Sequence, residues 1–176
     1  CWVLADAFRN QLEKKSLRVP RIIAGGTGTF PVYAAIDDSV LELSPGTNTF
    51  FDAGYGELYP DLDYVPALRI LTRVISRPTH ETLTLDLGYK ACASDPALSK
   101  RLAFPSLTGP EVILQNEEHL VLKTFDAHRY QPGDTLLAIP GHVCPTSALH
   151  KEALVIDDGR IVDTWPVSAR DRWLTV

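Results

Sequence analysis

The feature that most constrains this chain is a change of texture near residue 60. From about Asp61 the sequence runs through "LRILTRVISR", "ETLTLDLG", "EVILQ", "HLVLKTF", "DTLLAIP", "ALVIDDG" and "IVDTWPV", short stretches rich in β-branched residues and separated by Pro, Gly and Asp. Runs of this length and spacing predict a mainly antiparallel β domain over residues 60–176. "DDGR" at 157–160 is the strongest local hairpin signal, because Asp-Gly supplies the positive φ angles of a type I′ turn.

Before the boundary the texture alternates. Val3, Leu4, Ala7, Phe8 and Leu12 recur at close to helical period with charges between them, which predicts an amphipathic helix over residues 2–16. "VPRIIAGG" reads as a short strand running into a glycine loop, and "SVLELSPGTNTFFDAGY" as a second strand punctuated by Pro45 and Gly46. Helix, strand, Gly-loop, strand, Gly-loop is the closing part of an α/β unit, here residues 1–59. No internal repeat, low-complexity tract or flexible linker interrupts the chain.

Composition then excludes classes of partner. A net charge of -5 with no long basic run argues against nucleic acid. No stretch reaches the roughly 18 to 20 continuous apolar residues of a membrane span, and "CWVLADAFRNQLEKK" breaks into charge too early for a secretory segment. Cys1, Cys92 and Cys144 are too few and scattered for a disulfide framework, which predicts a reducing, cytoplasmic location. The chain contains no methionine, so we expect a piece of a longer protein.

Two constellations can carry chemistry. In "PGHVCPTSALH", His142 and Cys144 stand two apart after an apolar run. If the strand continues through them, both side chains share a face and can converge on one divalent ion, with Zn²⁺ suited to the imidazole and thiolate pair. The alternative is a small buried cysteine beside a hydrogen-bonded histidine. In "AGGTGTF", consecutive glycines let several N–H groups point at one anion while Thr27 and Thr29 add hydroxyls. Gly46 and Thr47 repeat the Gly-Thr pair after the next strand, so the two loops can hold one phosphate between them or be plain turns. Lys90 invites a nucleophilic reading, although a solvated lysine is the commoner case. His80, His119, His128 and His150 carry no independent signature.

Taken together, "GGTGTFP", "SPGTNTFFDAGY", "TLDLGYKACASD", "EEHLVL", "PGHVCPTSALH" and the closing "ARDR" resemble the C-terminal half of the D-threonine aldolase and eukaryotic-type D-serine dehydratase family. These are fold-type III pyridoxal 5′-phosphate enzymes of the alanine-racemase-like group. The resemblance implies that residues 1 to about 59 are the last segments of an (α/β)8 barrel and the rest a β domain. It implies that Gly26, Thr27, Gly28, Gly46 and Thr47 receive the cofactor phosphate, that Tyr55 lies near the cofactor, and that His142 and Cys144 bind a divalent metal (Zn, or Mn or Mg). It further implies a D-amino acid substrate and a homodimer when full length.

One departure stands out. The family's Schiff-base lysine belongs to the early barrel and has no counterpart here, and Lys90, in the β part, does not fill the gap. The chain alone is therefore expected to be an inactive part of a lyase. For the complete enzyme the first expectation is D-threonine aldolase, cleaving Cα–Cβ to glycine and an aldehyde, and the alternative is D-serine dehydratase. A rival from another class, a non-catalytic β module stabilised by metal, predicts further protein ligands such as Cys92 or His150. A phosphate-binding domain without metal is the third reading.

Overall fold

In the computed structural model, residues 1–171 and 173 are described. Arg172, the last residue of "ARDR", lies outside them. The chain divides into two compact units, Cys1–Thr49 and Phe50–Val176.

The first unit is α/β. Helix α1 (Trp2–Glu13) takes up the predicted amphipathic stretch. Strands β1 (Ile22–Ala24) and β2 (Leu41–Leu43) are only three residues long and pair in parallel, with Ile22 opposite Leu41 and Ala24 opposite Leu43. A parallel pair needs a crossover, and helix α2 (Phe30–Ala34), with Pro31 in its first turn, supplies it. Arg9 on α1 reaches both Asp6 and Asp38, the latter at 3.1 Å, and so ties the helix to the turn before β2. Each strand feeds a single 3-10 turn, Thr27–Thr29 after β1 and Thr47–Thr49 after β2.

The second unit is built on β structure. All seven apolar runs beyond residue 60 are strands: β3 (Ile70–Ser76), β4 (Thr82–Leu85), β6 (Glu111–Gln115), β7 (Leu120–Lys123), β8 (Thr135–Pro140), β9 (Glu152–Asp157) and β10 (Arg160–Pro166). A two-residue strand β5 (Leu102–Ala103) joins them. Six form one antiparallel sheet in the order β5-β8-β3-β4-β7-β6. Alternation along β3 buries Ile70, Thr72 and Val74 and exposes the residues between, as period two requires. Val74, Leu83, Leu85, Leu120 and Leu122 are fully buried and form the centre of the core.

Strands β9 and β10 form the predicted hairpin, with Asp157 opposite Arg160. Asp158 and Gly159 close it at φ 45° and 71°, the two positive angles that a type I′ turn demands. Two further helices complete the unit: α3 (Ala53–Leu58) and α4 (Val143–Leu149). Residues 50–59, grouped by their texture with the first segment, pack within the second unit. The ring of Phe51 is buried against Tyr64, with centroids 5.4 Å apart, and Ala67 N–H donates to the Phe50 carbonyl. Among the described residues no helix is long and apolar enough to cross a membrane.

Candidate functional site

In the first unit the two Gly-Thr loops leave the C-terminal ends of adjacent parallel strands, the place where α/β units bind ligands. Thr27 and Thr47 are its only buried residues. The Asn48 N–H donates to Thr27 Oγ1 at 3.1 Å and Ser44 Oγ to the Gly25 carbonyl at 2.9 Å, so the loops are bonded side by side. Each opens a helical turn, closed by Thr29 N–H on the Gly26 carbonyl and by Thr49 N–H on the Gly46 carbonyl.

Neither Gly26 nor Gly46 needs to be glycine for the chain's own sake. Gly26 has an extended backbone, Gly46 has no positive φ, and a Cβ on either would meet nothing within 4 Å. A Cβ on either would therefore occupy open space beside the loop backbone. The loops thus fit the phosphate of a cofactor, with Gly28 inside the first turn beside Thr27.

In the second unit the His-x-Cys motif is not on a strand, which corrects the expectation that the apolar run carries through it. Strand β8 ends at Pro140, and His142 is the N-cap of α4 with φ -144° and ψ 103°, so Cys144 falls in the first helical turn. The physical reason is the Pro140–Gly141 break. Gly141 N–H bonds to the Arg101 carbonyl, and a Cβ at Gly141 would collide with the Lys100 carbonyl, so only glycine turns the chain here. Pro145, which lacks an N–H, is tolerated in the first turn of a helix.

Three segments distant in sequence meet at this turn. His142 Nδ1 lies 2.6 Å from Asp95 Oδ2. A carboxylate oxygen only accepts, so Nδ1 carries the proton, and in the neutral imidazole Nε2 is then the nitrogen with the lone pair, the arrangement in which a carboxylate orients a metal-binding histidine. The Asp95 segment is itself pinned to α4: Ala93 N–H donates to Thr146 Oγ1 at 3.0 Å, Thr146 Oγ1 donates to the His142 carbonyl at 2.7 Å, and His150 Nε2 lies 2.8 Å from the Ala91 carbonyl. From the other side, buried Asp52 accepts from Val143 N–H at 2.9 Å and from Tyr55 N–H at 2.8 Å. Cys144 is exposed. An oriented imidazole nitrogen and a thiol on the same turn are a donor set that fits a divalent metal.

Asp52, Asp95 and Thr146 were not singled out from the sequence. Asp52 carried a readable signal, an N-cap aspartate before "AGYGEL". The other two act through contacts that no local pattern announces.

The remaining candidates fall elsewhere. Among the described residues no group of three or more His, Cys, Asp or Glu is placed to hold a metal ion, so Cys92 and His150 do not extend the His142 and Cys144 pair. Cys92 is buried in the core, its Sγ accepting from Gln115 Nε2 at 3.1 Å, and burial pushes its thiol pKa up. Lys90 bonds Glu117 and Glu118 on the surface, and these carboxylates raise its pKa, the opposite of what a nucleophilic lysine needs.

A family model described as "Putative serine dehydratase domain" matches residues 67–156, just over half of the chain. D-threonine aldolase of an Arthrobacter species is 31% identical over 170 residues, covering 95% of this chain and 44% of that protein. 3-Hydroxy-D-aspartate aldolase of Paracoccus denitrificans (strain Pd 1222) is 30% identical over 172 residues, covering 92% and 42%. Among solved structures, D-threonine aldolase from Filomicrobium marinum superposes with a TM-score of 0.82 at 25% identity, over 92% of this chain and 44% of that one. The chain thus spans less than half the length of these aldolases.

Proposed function

The chain belongs to the serine dehydratase domain family, and on that premise we propose that it is part of a pyridoxal 5′-phosphate- and metal-dependent lyase acting on D-configured β-hydroxy amino acids. Its reaction is D-threonine cleavage to glycine and acetaldehyde. The observation that carries this reading is the His142 turn, where a carboxylate holds the imidazole in the tautomer that leaves Nε2 available beside Cys144.

When bound, the cofactor supplies an electron sink and the metal a Lewis acid. The residues of this chain do the holding. Gly26, Thr27, Gly28, Gly46 and Thr47 receive the phosphate through backbone N–H groups and hydroxyls. His142 Nε2 and Cys144 Sγ hold the metal, and the thiolate favours Zn²⁺ over Mn²⁺ or Mg²⁺. Asp95 keeps the imidazole oriented.

A second reading, D-serine conversion to pyruvate and ammonia, is favoured by the description of the matching family. Incubating the full-length protein with D-threonine and with D-serine separates the two. We expect acetaldehyde and glycine from D-threonine, lost in Cys144→Ala, and no turnover from residues 1–176 alone. Pyruvate from D-serine without aldehyde from D-threonine would replace the first reading by the second. The same reading takes the working protein as a cytoplasmic homodimer, which light scattering of the full-length protein tests.

A further inference from the structure

We propose that Asp52 is a positioning residue that sets the His142–Cys144 turn and locks it to the Tyr55 turn; this rests on the reading of His142 and Cys144 as metal ligands. Asp52 is completely buried, and its two carboxylate oxygens are divided between two helix starts. Oδ1 accepts from Tyr55 N–H at 2.8 Å, capping α3, and Oδ2 accepts from Val143 N–H at 2.9 Å, the first residue of α4, 91 positions away in sequence.

The consequence falls on His142. The residue at an N-cap ordinarily turns its side chain onto the helix's first N–H groups. Here His142 makes no side-chain cap bond, Asp52 takes the first amide from outside, and the imidazole engages Asp95 instead. Asp52 thus does the capping that would otherwise compete for the His142 side chain.

Two further features keep the carboxylate where it is. Phe51 sits at φ 50° although it is not glycine, with its ring 2% exposed and packed on Tyr64 and Tyr55. Backbone in that region persists only where the surroundings over-determine it. A Cβ at Gly54 would collide with the Gly141 carbonyl, so the turn after Asp52 and the turn before His142 touch backbone to backbone. The contact leaves little room for either to shift without the other.

The test compares the wild-type chain with Asp52→Asn, which keeps the volume but offers an amide to two N–H donors and so must forfeit one bond. Asp52→Ser serves if Asn does not fold, since its hydroxyl still caps Tyr55 N–H but cannot also serve Val143. Thr124→Val, which removes a buried hydroxyl bonded to the Thr108 carbonyl at 2.8 Å, is the control for lost stability alone.

Two readouts are taken: Zn²⁺ affinity by competition with a chromophoric chelator, and the ring ¹⁵N shifts of His142. We expect Zn²⁺ affinity to fall about 10- to 100-fold in the Asp52 variants, the range seen for supporting residues of metal sites. The His142 ring shifts move with it, and neither changes in Thr124→Val at equal loss of Tm. Unchanged affinity and shifts in a folded Asp52 variant overturn the proposal. If the wild-type chain takes up no Zn²⁺, the metal reading fails by itself. The ring shifts then decide whether Asp52 positions His142: movement confined to the Asp52 variants supports it, and no movement overturns it.

Discussion

The two units spend their hydrophobic residues differently. In the antiparallel unit the inward residues of β3, β4 and β7 are buried to completion, with Val74, Leu83, Leu85, Leu120 and Leu122 at 0% exposure, whereas Leu154, Ile156, Ile161 and Val162 of the two-stranded β9–β10 hairpin stand exposed. In the α/β unit no residue of α1 is buried, and Val3, Leu4, Phe8, Ile23 and Val32 all stand exposed. Both segments are patterned equally well in sequence. Periodicity specifies which face of an element is apolar, whereas burial depends on how many other elements stack on that face. A six-stranded sheet gathers its own cover, and two three-residue strands do not.

The sharpest way to break that comparison is a pair of truncations. Leu83→Ala empties a closed core position and is expected to cost about 2–5 kcal/mol. Leu4→Ala in α1 changes stability by no more than about 0.5 kcal/mol. Urea denaturation monitored by circular dichroism measures both, and comparable losses would mean that α1 is covered after all.

Glycines provide the next contrast. Gly141→Ala must push a methyl into the Lys100 carbonyl, and overpacking of this kind costs about 1–3 kcal/mol or more. Gly46→Ala meets open space and is expected to leave the Tm unchanged while weakening cofactor binding by the full-length protein. A large drop in Tm for Gly46→Ala would make that glycine structural and remove the argument for a phosphate cradle.

A smaller, pH-dependent effect belongs to the antiparallel unit alone. Asp126 accepts from Thr108 N–H at 2.6 Å and pairs with Arg129, and these partners, Thr108 foremost, hold its pKa below the usual carboxylate range. A depressed folded pKa contributes stability above the unfolded value that disappears as pH falls through the folded one. Asp126→Asn should therefore be less stable than wild type at neutral pH and indistinguishable from it in acid below both values. A gap between the two proteins that persists undiminished there would show that the lost charge is not the cause.

What was legible in the sequence follows the range of the interactions involved. Asp-Gly at 158–159 closes its hairpin because a turn type is decided by two residues' own φ preferences. The seven apolar runs become strands because alternation is written into each run. The paired Gly-Thr loops come together because consecutive parallel strands are usually neighbours.

The strand that leads into the His-x-Cys motif stops at Pro140, and the motif opens a helix. The Pro140–Gly141 break is visible locally, but what turns it into a helix start is the Lys100–Arg101 backbone on one side and Asp52 on the other.

The sequence by itself determined the α/β and β composition, the hairpin, the loops and the identity of His142 and Cys144. Only the tertiary structure decided where the imidazole points. Its partners, Asp95 at 47 positions' distance and, through Val143, Asp52 at 91, are brought to it by the folding of the second unit rather than by the chain's local preferences. A hydrogen bond between residues so far apart is set by packing, which no short window of sequence contains.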